Sequence, residues 1–142
     1  MHVFAQVPIL VPVDFSERCF AAVEVAVEIA EDASPVHALH VLHEPQTGHP
    51  DPIWVSIEHA KRKQHAASAL EGELQDRQHS DVATHVEFGD AGLRIAEFAK
   101  HHNVGLIVMP SHGRTGLERL LLGSITERVL RTAHCPVLVL RE

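Results

Sequence analysis

Short runs rich in branched aliphatic residues punctuate this chain at regular intervals, and each is followed by a stretch with helical periodicity. Val7–Val13 reads V-P-I-L-V-P-V, Val36–Leu42 reads V-H-A-L-H-V-L, Val104–Met109 reads V-G-L-I-V-M and Pro136–Leu140 reads P-V-L-V-L. A strand covered on both faces reads as a nearly continuous apolar run, which is the signature of a parallel sheet inside an α/β domain. Parallel strands need long crossovers, and helices supply them. Strands alternating with helices therefore predict an α/β, doubly wound parallel sheet with helices on both faces.

The prolines of the first run sit where a ladder can spare a donor, Pro8 at its start and Pro12 at its end. Asp14 and Ser16 offer caps for a helix from about Glu17 to Asp32, where Phe20, Val23, Val27 and Ala30 recur at helical spacing. Glu44–Pro52 holds three prolines and a glycine and reads as a loop. A polar helix is predicted over about Ile53–Arg77, with Ala60, Ala67, Leu70 and Leu74 turned to the core. Val82–Phe88 alternates as an edge or half-exposed strand does. Asp90 is the expected cap of a helix carrying Leu93, Ala96 and Ala99 and ending near Asn103. Ser111–Leu122 reads as a loop, Ser124–Thr132 as the last helix. The 142 residues match one ordinary domain spanning 1–142.

Charge narrows the function classes. The formal net charge is −7, which argues against a nucleic-acid partner or an anionic membrane surface, because both need a local excess of Lys and Arg. No apolar run approaches the length of a membrane span. The two cysteines, Cys19 and Cys135, are not spaced as a redox or zinc pair, and a reducing, cytoplasmic setting is expected. Histidine is over-represented at 13 residues, so full protonation reverses the sign of the net charge. These histidines are expected on the solvated surface. His37 and His40 point to opposite faces of a strand, and His101 and His102 are adjacent on a helix, so no metal site is expected.

In open α/β sheets ligands sit beyond the carboxyl ends of strands where the strand order reverses. Two segments fall there: Asp14 after the first run, and P-S-H-G-R-T-G from Pro110. Ser124 with Glu127 reads as a capping box, with Gly123 ahead of it leaving room for close approach to the backbone. A helix start of this kind suits a phosphate, although a capping box serves equally well without a ligand. No G-x-x-x-x-G-K-[ST] or G-x-G-x-x-G motif occurs, which excludes a P-loop and a dinucleotide site. Ser111 beside His112 has no G-x-S-x-G context, and sequence neighbours are not expected to face one another. Asp14 reads as a cap rather than a general base.

The motifs V-P-V-D-F-S-E, L-H-V, F-G-D-A, S-H-G-R-T-G-L-E-R-L-L-L-G-S and H-C-P-V-L-V-L occur in this order and together resemble the universal stress protein family. The resemblance spans essentially the whole chain. It implies a five-stranded sheet of order 3-2-1-4-5, an adenine nucleotide alpha hydrolase-like fold, and a homodimer, here expected through the edge strand Val137–Leu140. Its nucleotide-binding branch carries G-x-x-G-x9-G-[ST]. Gly113, Gly123 and Ser124 match the last three positions, and Pro110 replaces the first glycine. Asp14 and Val41 match positions around the adenine and ribose, with Met109 an apolar neighbour. Pro12, Ile125 and Thr126 complete the implied site. The implied ligand is ATP or AMP, with Mg2+ where phosphates need it, held by a regulatory module in the stress response. A dimeric interaction protein without nucleotide and a slow ATP hydrolase are the alternatives; the latter needs a base and metal ligands, for which the loop offers only His112 and Glu118.

Overall fold

Ile9–Pro12 forms β1, a short strand in the middle of a parallel sheet. Ile9, Leu10 and Val11 are all fully buried, as an apolar run covered on both faces requires. The computed structural model describes residues 6–30, 34–44, 48–113 and 122–141. After β1 come α1 (Glu17–Ile29), β2 (Val36–Leu42), α2 (Pro52–Asp76), β3 (Ala83–Phe88), α3 (Ala91–His101), β4 (Leu106–Pro110), α4 (Ser124–Thr132) and β5 (Val137–Leu140). The five strands lie in the order β3-β2-β1-β4-β5, the order the family resemblance implies, and all are parallel, as the strand–helix alternation predicts.

Two apolar layers follow from strand alternation. One holds Ile9, Val11, Phe20, Val23, Leu70, Leu74 and Val108 on the side of α1 and α2. The other holds Leu10, Leu39, Ile95, Phe98, Ile107 and Val129 on the side of α3 and α4. The core face of α3 is Gly92, Ile95, Ala96 and Ala99, and Leu93 is turned out at 41% exposure, contrary to expectation. At 100° per residue Leu93 lies a quarter-turn off that face. In α2 only Ala66, Leu70 and Leu74 are buried. Ala60 is exposed, because the inward side of this half of the helix is His59 and Arg62, both against the Phe88 ring. β4 starts two residues later than its apolar run. Asn103 takes a left-handed φ of 52°, and the Val104 amide returns to the Ala99 carbonyl at 2.9 Å, so the chain is still closing α3 there. The helix read to Asp32 ends at Ile29, and residues 31–33 lie outside those described.

Several histidines are not solvated surface. His37 on β2 and His85 on β3 turn to the α3 side, and His37 Nδ1 lies 2.9 Å from His85 Nε2. The His102 ring stacks on Phe98 at 3.8 Å between centroids, with His85 edge-on to Phe98 at 4.7 Å. Burial pushes the His85 imidazole down to about 4, helped by the neighbouring His37 and His102, and burial also lowers His37. Both rings are therefore neutral in the fold and charge more readily in the unfolded chain. Their contribution is fully present above about pH 6.5 and is lost as pH falls toward 4. Unscreened, the His85 shift corresponds to about 3 kcal/mol, which solvent around a half-buried ring reduces to about 1–2 kcal/mol. Thermal melts should show the wild type losing more stability between pH 7 and pH 4.5 than His85→Gln does. Equal losses in both would remove the ring from the account.

Candidate functional site

β1 and β4 pair only through Ile9 with Leu106 and Leu10 with Ile107, and beyond that they part. β1 stays with β2, since the Val13 amide donates to the Leu39 carbonyl at 2.8 Å. β4 stays with β5, since the Ser111 amide donates to the Leu140 carbonyl at 3.0 Å. The result is a crevice at the carboxyl ends of the two strands, at the point where strand order reverses. Backbone alternation puts the nitrogen of Pro12 on the β4 side, because Val13 faces β2. It puts the nitrogen of Pro110 on the β1 side, because Ser111 faces β5. Neither nitrogen carries a hydrogen, so neither can continue the ladder across the gap.

The turn from β1 into α1 forms one wall. Asp14 Oδ1 accepts from the Ser16 amide at 3.0 Å and from its hydroxyl. Ser16 is the N-cap of α1, its hydroxyl oxygen accepting from the Cys19 amide at 3.3 Å. Phe15 between them has a φ of 65°, a conformation costly for a bulky residue, of order 1–3 kcal/mol, that surrounding contacts must impose. Its ring packs edge-on against His40 at 4.9 Å and near Phe20 at 6.4 Å. His40 Nδ1 lies 2.8 Å from the Val13 carbonyl oxygen. Across the crevice, a Cβ on Gly113 would stand 2.9 Å from Asp14 Oδ2, so a side chain there would displace the Asp14 carboxylate.

The other wall is the start of α4, and here one expectation is corrected. The N-cap is Gly123, with φ −68° and ψ 159°, and Ser124 is the first helical residue. No side chain caps this helix; the Glu127 amide bonds the Gly123 carbonyl at 2.9 Å, and the Glu127 carboxylate pairs with Arg131. The cause is the Gly123 amide, which donates to the Ser111 carbonyl at 2.6 Å and holds that residue extended. A second stitch is the Thr126 hydroxyl, buried and donating to the Pro110 carbonyl at 3.0 Å. These bonds fix the helix start directly beyond β4. The Gly123 amide is thus already engaged, and the amides of Ser124, Ile125 and Thr126 are those without an intrahelical acceptor.

The remaining predicted positions spread around this crevice. Val41 is half-buried on β2 and Met109 is buried on β4, both against the α3–α4 layer. Ile125 is exposed at 45%. Ser111 and His112 do meet, with Ser111 Oγ 3.2 Å from His112 Nδ1, contrary to the expectation for sequence neighbours. Ser111 is buried, which leaves it no open approach for a substrate carbonyl. The Cys19 thiol is pushed up to about 11 by burial and is no nucleophile at neutral pH. Arg114–Leu121, including Glu118, lie outside the described residues. A groove of about 410 Å3 against β3, lined in part by Glu71, His85 and His102, is remote from the crevice. Among the described residues, no helix is long and apolar enough to cross a membrane. His40 and Phe15 are the contributors that sequence reading missed. Both stand inside motifs noticed there, but a left-handed phenylalanine and a side chain gripping a distant carbonyl leave no local signature.

A parallel sheet of this order, flanked by helices and with the strand order reversing between β1 and β4, places the chain among the doubly wound α/β proteins. The model of the universal stress protein family matches residues 8–141, and the chain belongs to that family. It is 37% identical over 139 residues to universal stress protein MJ0531 of Methanocaldococcus jannaschii, covering 94% of this chain and 81% of that one. The solved structure of MJ0577 from the same organism superposes with a TM-score of 0.80 at 28% identity, covering 96% of each chain. Universal stress protein UspA from Lactobacillus plantarum superposes with a TM-score of 0.76 at 29% identity, covering 96% of this chain and 99% of that one.

Proposed function

We propose that this chain is an adenine-nucleotide-binding regulatory module, taking ATP or AMP in the crevice between β1 and β4 and performing no rapid chemistry on it. The observation that carries this reading is the stitched helix start. Two hydrogen bonds from Gly123 and Thr126 hold the α4 amides at the end of β4, facing the same crevice as Asp14 and Gly113. The phosphates belong at the amides of Ser124, Ile125 and Thr126, with the Ser124 hydroxyl beside them. The base and ribose belong toward Pro12, Asp14, Val41 and Met109. Where ATP is the ligand, Mg2+ arrives on its phosphate oxygens. A more distant universal stress protein, 21% identical with a TM-score of 0.60, was solved in complex with cAMP; at that identity the likeness speaks for the fold. Native mass spectrometry of freshly purified protein, followed by calorimetry with ATP and AMP, tests the reading. Micromolar binding is expected. No binding of either nucleotide would leave the dimeric interaction module.

Pro110 supplies a graded test. Its nitrogen faces the crevice without a hydrogen, so Pro110→Gly restores one donor there. ATP binding should tighten by about two- to tenfold, the net worth of one hydrogen bond of about 0.5–1.5 kcal/mol, less what a freer loop takes back. Weaker binding would mean that the proline pre-shapes the loop.

A further inference from the structure

The β1–α1 turn owes its shape to β2. Both polar groups of the Val13 peptide units are taken by adjacent β2 residues: the Val13 amide by the Leu39 carbonyl at 2.8 Å, and the Val13 carbonyl by the His40 side chain at 2.8 Å. A carbonyl only accepts, so His40 Nδ1 carries a hydrogen and donates it. The same imidazole packs edge-on against Phe15 at 4.9 Å, the residue held at φ 65°. Val13 and Phe15 bracket Asp14, so one side chain constrains the residue on each side of it. Asp14 in turn stands over Gly113, close enough that a Cβ there would lie 2.9 Å from Asp14 Oδ2.

We propose that His40 is a positioning residue of the nucleotide site: through its Nδ1–H···O=C bond to Val13 and its contact with Phe15 it fixes the backbone on either side of Asp14, whose carboxylate Ser16 then orients. This rests on the nucleotide reading above and adds a residue that does not itself touch the ligand. The group that matters is a single N–H donor, because the bond needs no charge. Asn at this position presents an amide N–H at about the same reach as Nδ1, whereas Leu keeps bulk and loses the donor.

The test is ATP calorimetry at 25 °C on wild type, His40→Leu and His40→Asn, with a thermal melt of each to establish that all three are folded. His40→Leu should bind about tenfold more weakly, the upper end for one lost hydrogen bond that orients a polar group. His40→Asn should return to within about threefold of wild type even where its melting temperature stays low, a rescue that a purely structural role would not produce. Equal affinity of His40→Leu and wild type overturns the assignment and leaves the nucleotide reading standing. So does His40→Asn binding no better than His40→Leu. Absence of ATP binding in the wild type overturns both.

Discussion

Gly123→Val should lower ATP affinity by roughly a hundredfold, about 2.7 kcal/mol, and should also lower the melting temperature. A Cβ at this position would stand 3.3 Å from the Ser111 carbonyl oxygen and 3.4 Å from the His112 Cα. Both are backbone atoms, which cannot rotate away as a side chain does, and the two γ-methyls of valine add to the crowding. Relief requires the helix start to shift against β4, which strains the 2.6 Å bond from the Gly123 amide to Ser111. That shift, with the valine methyls beside them, displaces the first-turn amides from the place where the phosphates are proposed to sit. Ser124→Ala is the matched control. Ser124 is the first helical residue rather than the cap, so its melting temperature should stay put, with only the loss of one hydroxyl contact to phosphate. Calorimetry and melting curves on the two variants separate these effects. Wild-type affinity in Gly123→Val would show that the phosphates do not sit at this helix.

We propose that two copies of the chain pair through β5, and Val139→Pro should then give a folded monomer. β5 is a sheet edge, and Leu138 is 37% exposed on it. Such an apolar edge invites pairing with its own copy across a two-fold axis. The ladder tells which residues would do the pairing. The carbonyls of Pro136 and Leu140 accept from Ile107 and Ser111 on β4, so even-numbered residues face inward. Val137 and Val139 therefore offer their amide and carbonyl groups at the free edge. Proline at 139 removes one outward donor per copy and touches no bond to β4, a position where edge strands tolerate it. Light scattering at micromolar concentration reads the outcome. A Val139→Pro protein that remains dimeric would place the interface elsewhere.

The order of elements was legible because β1 and β4 are covered on both faces and carry nearly unbroken apolar runs, while β3 alternates as a half-exposed strand does. Boundaries were less so, for reasons that lie in tertiary contact. Val104 and Gly105 look like strand, yet Asn103 and Val104 are spent closing α3. Ala60 was placed on the buried face, but that half of α2 turns His59 and Arg62 inward onto Phe88 and leaves Ala60 outside. At the site, Gly123 was readable as a place of close approach and Gly113 only through the family resemblance; they stand against Ser111 and Asp14 respectively. The Ser124–Glu127 spacing suggested a cap that the Gly123–Ser111 bond displaces by one residue. The His37–His85 contact was invisible, because it joins two strands at an offset that only the sheet register sets.

Pro12 and Pro110 have a further consequence. Two adjacent parallel strands behave like the halves of a zipper, and a protein with an empty cleft between them always risks having the teeth engage further up. Here the slider meets a missing tooth on each side, since neither proline nitrogen can be drawn across. The seam cannot run on by its own hydrogen bonds whether or not anything fills it. A ligand arriving at this cleft has no strand pair to prise apart, and one that leaves does not let the cleft seal behind it. For the nucleotide reading proposed above, this means that strand pairing places no barrier of its own at the site.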